Sequence, residues 1–160
     1  MALLYVLRHA KSSWDDPGLA DHDRPLAPRG RRNAAVLAEH VAQEHIVPEL
    51  ILCSTALRAR ETLAALLPAL DGECEIRLED ELYGATADQL VARLSELAEA
   101  ATSVLVVGHN PGLEDLVGRL AADEGPDRLP TAALVALETD GPWASVGSLR
   151  WGVLSTTIPR

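Results

Sequence analysis

Short apolar runs alternate along the chain with longer stretches in which apolar residues recur every three or four positions. Leu3 to Leu7 is the first run; it contains Tyr5 and Val6, stops abruptly at Arg8-His9, and predicts a buried strand. From Pro28 to about Glu44 the pattern turns helical, with Ala34, Leu37, Ala38 and Val41 on one stripe and Pro28 near the first turn. Leu50 to Cys53 predicts a second strand, and Ser54-Thr55 the cap of a helix through Leu57, Thr62, Leu63 and Leu66 to Pro68. Glu75 to Leu78 predicts a weaker third strand, and Ala87 to Ala100 a helix with Leu90, Leu94 and Leu97 on one face. The β-branched run Ser103 to Val107 predicts another strand, after which Asn110 reads as an N-cap and Pro111 as the first position of a helix through Leu113, Leu116, Val117 and Leu120. Thr131 to Glu138 and Leu149 to Leu154, parted by TDGPWASVGS, predict a closing strand pair.

Strands alternating with helices predict an α/β fold, a three-layer α/β/α sandwich whose central sheet is mainly parallel with an antiparallel contribution from the last strands. The 160 residues and their 48% hydrophobic content predict a single domain over 1–160. Three Trp, two Tyr and no Phe leave Leu, Val, Ile and Ala to fill the core. In such sheets ligands gather beyond the carboxyl ends of the strands. Three of those ends carry chemistry: Arg8-His9, Ser54 to Arg58, and Gly108-His109. The polar connection over residues 10–27 is long enough to expect a functional loop.

Charge narrows the partners. A formal net charge of -10 argues against nucleic acid. No apolar stretch approaches the roughly 20 residues of a membrane span, and the start MALLYVLRHA lacks the features of a signal peptide. Two cysteines outside any metal or redox spacing predict a reduced, cytoplasmic protein, with Cys53 as core. Because Arg supplies all but one (Lys11) of the 14 basic residues, a single Arg says little, and about 0.4 Arg-His pairs are expected at this background composition. Two imidazoles and two guanidiniums converging at one sheet edge say more: such a cluster repels itself until an anion joins it, and paired N–H donors fit a tetrahedral oxyanion. A helix starting near Pro111 would add backbone donors.

The segments LRHAKSSW, RPLAPRGRRNA, CSTALRARET and VVGHNPG resemble, in order, the successive motifs of the phosphoglycerate mutase-like histidine phosphatase superfamily, over about two thirds of the chain. Ala10 stands where the Arg-His-Gly signature has Gly, which is similar to the SixA-type phosphohistidine phosphatase branch. The resemblance implies a phosphatase that needs no metal or other cofactor, with His9 as nucleophile and Arg8, Arg58 and His109 holding the phosphoryl oxygens. It implies phosphohistidine in a protein as the substrate; a small phosphate ester, or a non-catalytic phospho-binding role, are the alternatives. A nucleotide-binding domain ranks last, since no GxGxxG or Walker-type loop follows a strand.

A carboxyl acid for an alkoxide leaving group has three candidates, Glu81, Asp21 and Asp23. Lys11, Ser12 and Ser13 lie close enough to His9 to touch phosphate or to belong to a solvated loop, and His22 reads equally as loop packing or pocket rim. His40 and His45 read as structural or solvated, and Arg60 as an exposed helix residue paired with Glu61 or another neighbour. The chain lacks the length for insertions over the pocket, which predicts an open site.

Overall fold

The computed structural model describes all residues, 1–160. Six strands form one sheet: β1 (Ala2–Arg8), β2 (Leu50–Ser54), β3 (Glu75–Glu79), β4 (Ser103–Gly108), β5 (Leu134–Thr139) and β6 (Gly152–Thr157), in the order β3-β2-β4-β1-β5-β6. The first four run parallel; β5 alone runs against them, pairing antiparallel with β1 on one side and with β6 on the other, the closing strand pair that the sequence predicts. Four helices complete the fold: α1 (Pro28–Gln43), α2 (Leu57–Leu66), α3 (Ala87–Ser95) and α4 (Gly112–Ala121).

The three layers follow from the period of two along the central strands. Leu4 and Val6 of β1, Leu50 and Leu52 of β2, and Val104 and Val106 of β4 pack on one face, with Leu90 and Leu94 of α3 and Leu113, Leu116 and Leu120 of α4. Their neighbours Leu7, Ile51, Cys53, Leu105 and Val107 pack on the other, with Leu37 and Val41 of α1 and Leu63 and Leu66 of α2. An apolar run without polar interruption is what a strand covered on both sides requires. Cys53 is core, its thiol pushed up to about 12 by burial.

Several element ends depart from the sequence reading. The third helix stops at Ser95, and Leu97 enters the core from the connection that leads to β4. The last strand lies about three residues later than expected, because Trp151 is drawn wholly into the core against Trp143 and pairing with β5 continues to Thr157. Helix α2 is flanked by Ala56, with no side-chain cap, while Ser54 remains the last residue of β2. Helix α4 begins at Gly112 with Pro111 outside it, although the Asn110 side chain still accepts the Glu114 N–H at 3.2 Å. His45 lies beyond α1, at φ 52°.

Two glycines bring loops close to the helices. A Cβ on Gly112 would lie 2.0 Å from the Ala85 carbonyl oxygen, and one on Gly30 would lie 2.0 Å from that of Lys11. The first approach holds the β3–α3 loop against α4, and the second holds the segment after β1 against α1.

Candidate functional site

The parallel register of β1 and β4 builds the centre of the site. Arg8 pairs with Gly108, so both strands end at the same level and the next residue of each is a histidine. The His9 N–H donates to the Gly108 carbonyl at 3.1 Å, and the two imidazole centroids lie 5.1 Å apart. Behind them the Ala132 N–H is shared between the Arg8 and His9 carbonyls at 3.0 Å each. Ala132 does this from φ 64°, a costly conformation for a residue with a Cβ, so the packing around it holds the end of β1 in place.

His9 is nearly buried, and its Nδ1 lies 2.7 Å from the Ala10 carbonyl oxygen. A carbonyl only accepts, so Nδ1 carries the proton and Nε2 the lone pair. Burial, opposed by that hydrogen bond and reinforced by Arg58, Arg8 and Arg24, lowers the His9 pKa to about 4. His109 is lowered to about 3, first by burial, then by His9 and Arg58. Its Nε2 meets the Ser54 hydroxyl at 2.7 Å, while its Nδ1 is buried without a partner. Both rings are neutral at pH 7.

Arg8 reaches the Leu129 carbonyl through Nη1 at 3.2 Å and leaves Nε buried and unpaired. Arg58, on the first turn of α2, is buried and anchored twice to Asp21: Nη1 donates to its carbonyl at 2.7 Å and Nη2 to Oδ2 at 3.0 Å. A buried donor without an acceptor is costly. The unpaired Arg8 Nε–H therefore marks a place for an acceptor from a ligand, as does His109 Nδ1 in the tautomer whose Nε2 accepts the Ser54 hydroxyl.

These residues line a cleft of about 240 Å³ together with Lys11, Ser12, Trp14, Arg24, Asn110 and Thr131. Four cationic side chains face it in a protein of net charge -10. The cleft can hold a tetrahedral oxyanion against guanidinium donors with a neutral imidazole nitrogen behind it. No group of three or more His, Cys, Asp or Glu side chains is arranged to hold a metal ion.

The structure brings together His9, Arg8, Arg58 and His109, the four residues singled out from the sequence, and adds three that were not. Arg24 is buried, donating to the Ser13 carbonyl at 3.0 Å, Asp21 Oδ1 at 2.9 Å and Ser12 Oγ at 2.5 Å. Tyr83 stands edge-on to His109 and His22, at 5.5 and 4.9 Å, and its hydroxyl donates to Asp21. Trp14 lies on the rim. In the sequence Arg24 was one Arg among thirteen; only its place inside the long loop after His9 set it apart.

The candidate acids separate. Asp21 is held well below the usual carboxylate range by the Tyr83 hydroxyl, then by Arg24 and Arg58, and so orients guanidiniums as a carboxylate. Glu81 is exposed and lines a different groove, beside α3. Asp23 is exposed, 3.7 Å from His22. His22 bonds to Thr55 Oγ1 at 2.9 Å and backs Tyr83 outside the cleft lining. Ser12 and Ser13 hold Arg24, and Lys11 lines the cleft. Arg60 is exposed, and instead of Glu61 its Nε meets the Thr55 carbonyl at 2.9 Å.

An α/β sandwich with an Arg/His oxyanion cleft at the carboxyl ends of β1, β2 and β4 defines a phosphoryl-handling enzyme of the phosphoglycerate mutase-like class. A family model, the histidine phosphatase superfamily (branch 1), matches residues 4–93, and the chain belongs to that family. An uncharacterized protein of Mycobacterium tuberculosis is 38% identical over 163 residues, covering 96% of this chain and all of that protein. Among solved structures, a provisionally designated phosphohistidine phosphatase SixA from Agrobacterium tumefaciens superposes with a TM-score of 0.86 at 32% identity, covering 99% of this chain and 98% of its own. The protein histidine phosphatase SixA complexed with tungstate matches with a TM-score of 0.81 at 25% identity, over 96% and 95% of the two chains. The chain is a SixA-like phosphatase of this superfamily.

Proposed function

We propose that this phosphatase hydrolyses phosphohistidine carried on a partner protein, through a phosphohistidine formed on its own His9. The observation that carries this reading is the His9 ring, neutral and fixed by the Ala10 carbonyl with its Nε2 lone pair free, in a cleft of guanidiniums. Nε2 attacks phosphorus while the bond from phosphorus to the substrate ring breaks; that ring, protonated beforehand from solvent on its other nitrogen, takes the electron pair and departs as neutral imidazole. Arg8, Arg58 and His109 hold the equatorial oxygens as charge builds on them. Water then attacks phosphorus, the bond to Nε2 breaks, and inorganic phosphate leaves His9 in its starting tautomer. Tungstate, the ligand of the SixA structure, is a tetrahedral oxyanion of the kind this cleft suits.

The choice of substrate follows from the leaving group. None of the three candidate carboxyls lines the cleft, and Asp21 is held ionised. A departing imidazole is far less basic than an alkoxide and manages without a strong acid beside it, which favours phosphohistidine over alkyl esters. We also place the enzyme in the cytoplasm, which its two free thiols suit; no helix is long and apolar enough to cross a membrane.

The test is a panel of phosphohistidine protein, phosphoserine peptide, sugar phosphates and nucleotides, run with and without chelator. The expected result is turnover of phosphohistidine protein above the others, unchanged by chelator, and its loss in His9→Ala while tungstate still binds. Preference for sugar phosphates would reassign the chain as a small-molecule phosphomonoesterase. No turnover of any substrate would make it a phospho-binding module.

A further inference from the structure

Trp14 is the exception among the three tryptophans. Trp143 and Trp151 are core side chains, 2% and 0% exposed, whereas Trp14 is 71% exposed on the rim of the cleft. A large aromatic left in water forgoes the stabilisation of burial, so a fixed, exposed Trp beside a ligand cleft points to contact with what enters. Trp14 is not held loosely. The Arg24 guanidinium lies 3.2 Å from the centre of its ring, and that guanidinium is itself fixed by Ser12, Ser13 and Asp21. Through Arg24 and Asp21, the platform is tied to Arg58 in the floor of the cleft.

Besides the imidazoles of His9 and His109, which the phosphoryl group occupies, the remaining cleft residues are cationic or polar, which suits the phosphoryl group and offers no other apolar surface to a ring. A planar group attached to the phosphorus must pass the rim, where the indole is the one broad apolar surface. We propose that Trp14 is a specificity-determining contact that receives the imidazole ring of the substrate phosphohistidine, an inference that rests on the phosphohistidine reading. The ring packs against the indole while its phosphoryl group reaches His9, so the contact selects substrates by the planar group they lose and not by the phosphoryl group alone.

The experiment compares N-phosphoimidazole, which carries the ring, with phosphoramidate, which carries a P–N bond and no ring. Trp14→Ala should lower kcat/KM for N-phosphoimidazole by roughly 10-fold, the scale of one aromatic contact, and leave phosphoramidate within about 2-fold, while Trp14→Phe keeps most of the preference. Equal loss on both substrates would show that Trp14 only braces Arg24, and no loss on either would show that nothing rests on it; both overturn the proposal. Binding gives a readout independent of turnover. With His9→Ala, N-phosphoimidazole should quench the emission of the exposed Trp14 and phosphoramidate should not, with His9→Ala/Trp14→Ala as the blank. If wild type hydrolyses neither compound, the phosphohistidine reading fails while this quenching still decides for or against the ring contact.

Discussion

Asp21 and Arg58, 37 residues apart in sequence, meet through two hydrogen bonds, one from each terminal nitrogen of the guanidinium, to the backbone and the carboxylate of the same residue. The pair fixes the plane of Arg58, and Asp21 simultaneously ties Arg24 and Tyr83 into the same network. One of the three candidate acids is thereby an anion holding cations in register.

Asp21→Asn keeps the shape and removes the charge. Loss of orientation at Arg58 should lower kcat roughly 10-fold, by the same factor for a leaving imidazole and for a poor alkoxide leaving group. A loss confined to poor leaving groups would instead make Asp21 an acid, and steady-state rates on both substrate types decide between the two.

Arg58→Ala should slow phosphoryl transfer by roughly 10²- to 10³-fold, the effect of removing one preorganised charge-stabilising donor. Arg60, two residues along the same helix, is exposed and its side chain bonds to the Thr55 carbonyl, outside the cleft, so Arg60→Ala should be nearly silent. Each change removes one positive charge from α2, so equal losses would mean that general attraction is being measured and that Arg58 has no special place.

Acid should weaken the fold through the two buried imidazoles. His9 and His109 sit at about 4 and about 3, below the ordinary value of 6.5, so between pH 6.5 and those values the unfolded chain binds protons that the folded chain refuses. Stability is therefore full above pH 6.5, falls as pH drops towards 4, and stops falling on this account below about 3. Urea unfolding from pH 7 to 4.5 should show this slope in wild type and a shallower one in His9→Gln; identical slopes would assign the loss to other groups.

Gly112→Ala should destabilise the protein by about 1–3 kcal/mol, the cost of forcing backbone apart in a packed interface, because the new Cβ meets the Ala85 carbonyl. Gly118, in the middle of the same helix with nothing within 4 Å of its Cβ position, is the control. Gly118→Ala should add about 0.5–1 kcal/mol through helix propensity. Thermal or urea unfolding of the two variants checks the signs, which must be opposite.

The alternation that splits β1, β2 and β4 between two apolar faces is written residue by residue in the chain, and so are the strand ends, because burial on both sides demands an uninterrupted apolar run that halts where the sheet meets solvent. The segments Arg8-His9, Ser54 to Arg58 and Gly108-His109 were legible for that reason, since each begins at such a halt, while the choice of Arg8, His9, Arg58 and His109 within them came from the resemblance to the histidine phosphatase motifs. The depth of helix α3, the late start of β6 and the cap of α2 were not, since terminal residues answer to packing against elements far away in sequence. Nor was the loop over residues 10–27, which has no period to read. Only the folded chain decided that Arg24 would be buried, that Asp21 would be an ion-pair partner, and that Tyr83 would arrive from the β3–α3 loop to stand against His109. Those choices depend on where the loop lies against α2 and how the β3–α3 loop is drawn to α4 at Gly112, and such long-range approaches follow from shape and charge in three dimensions, not from the local order of residues.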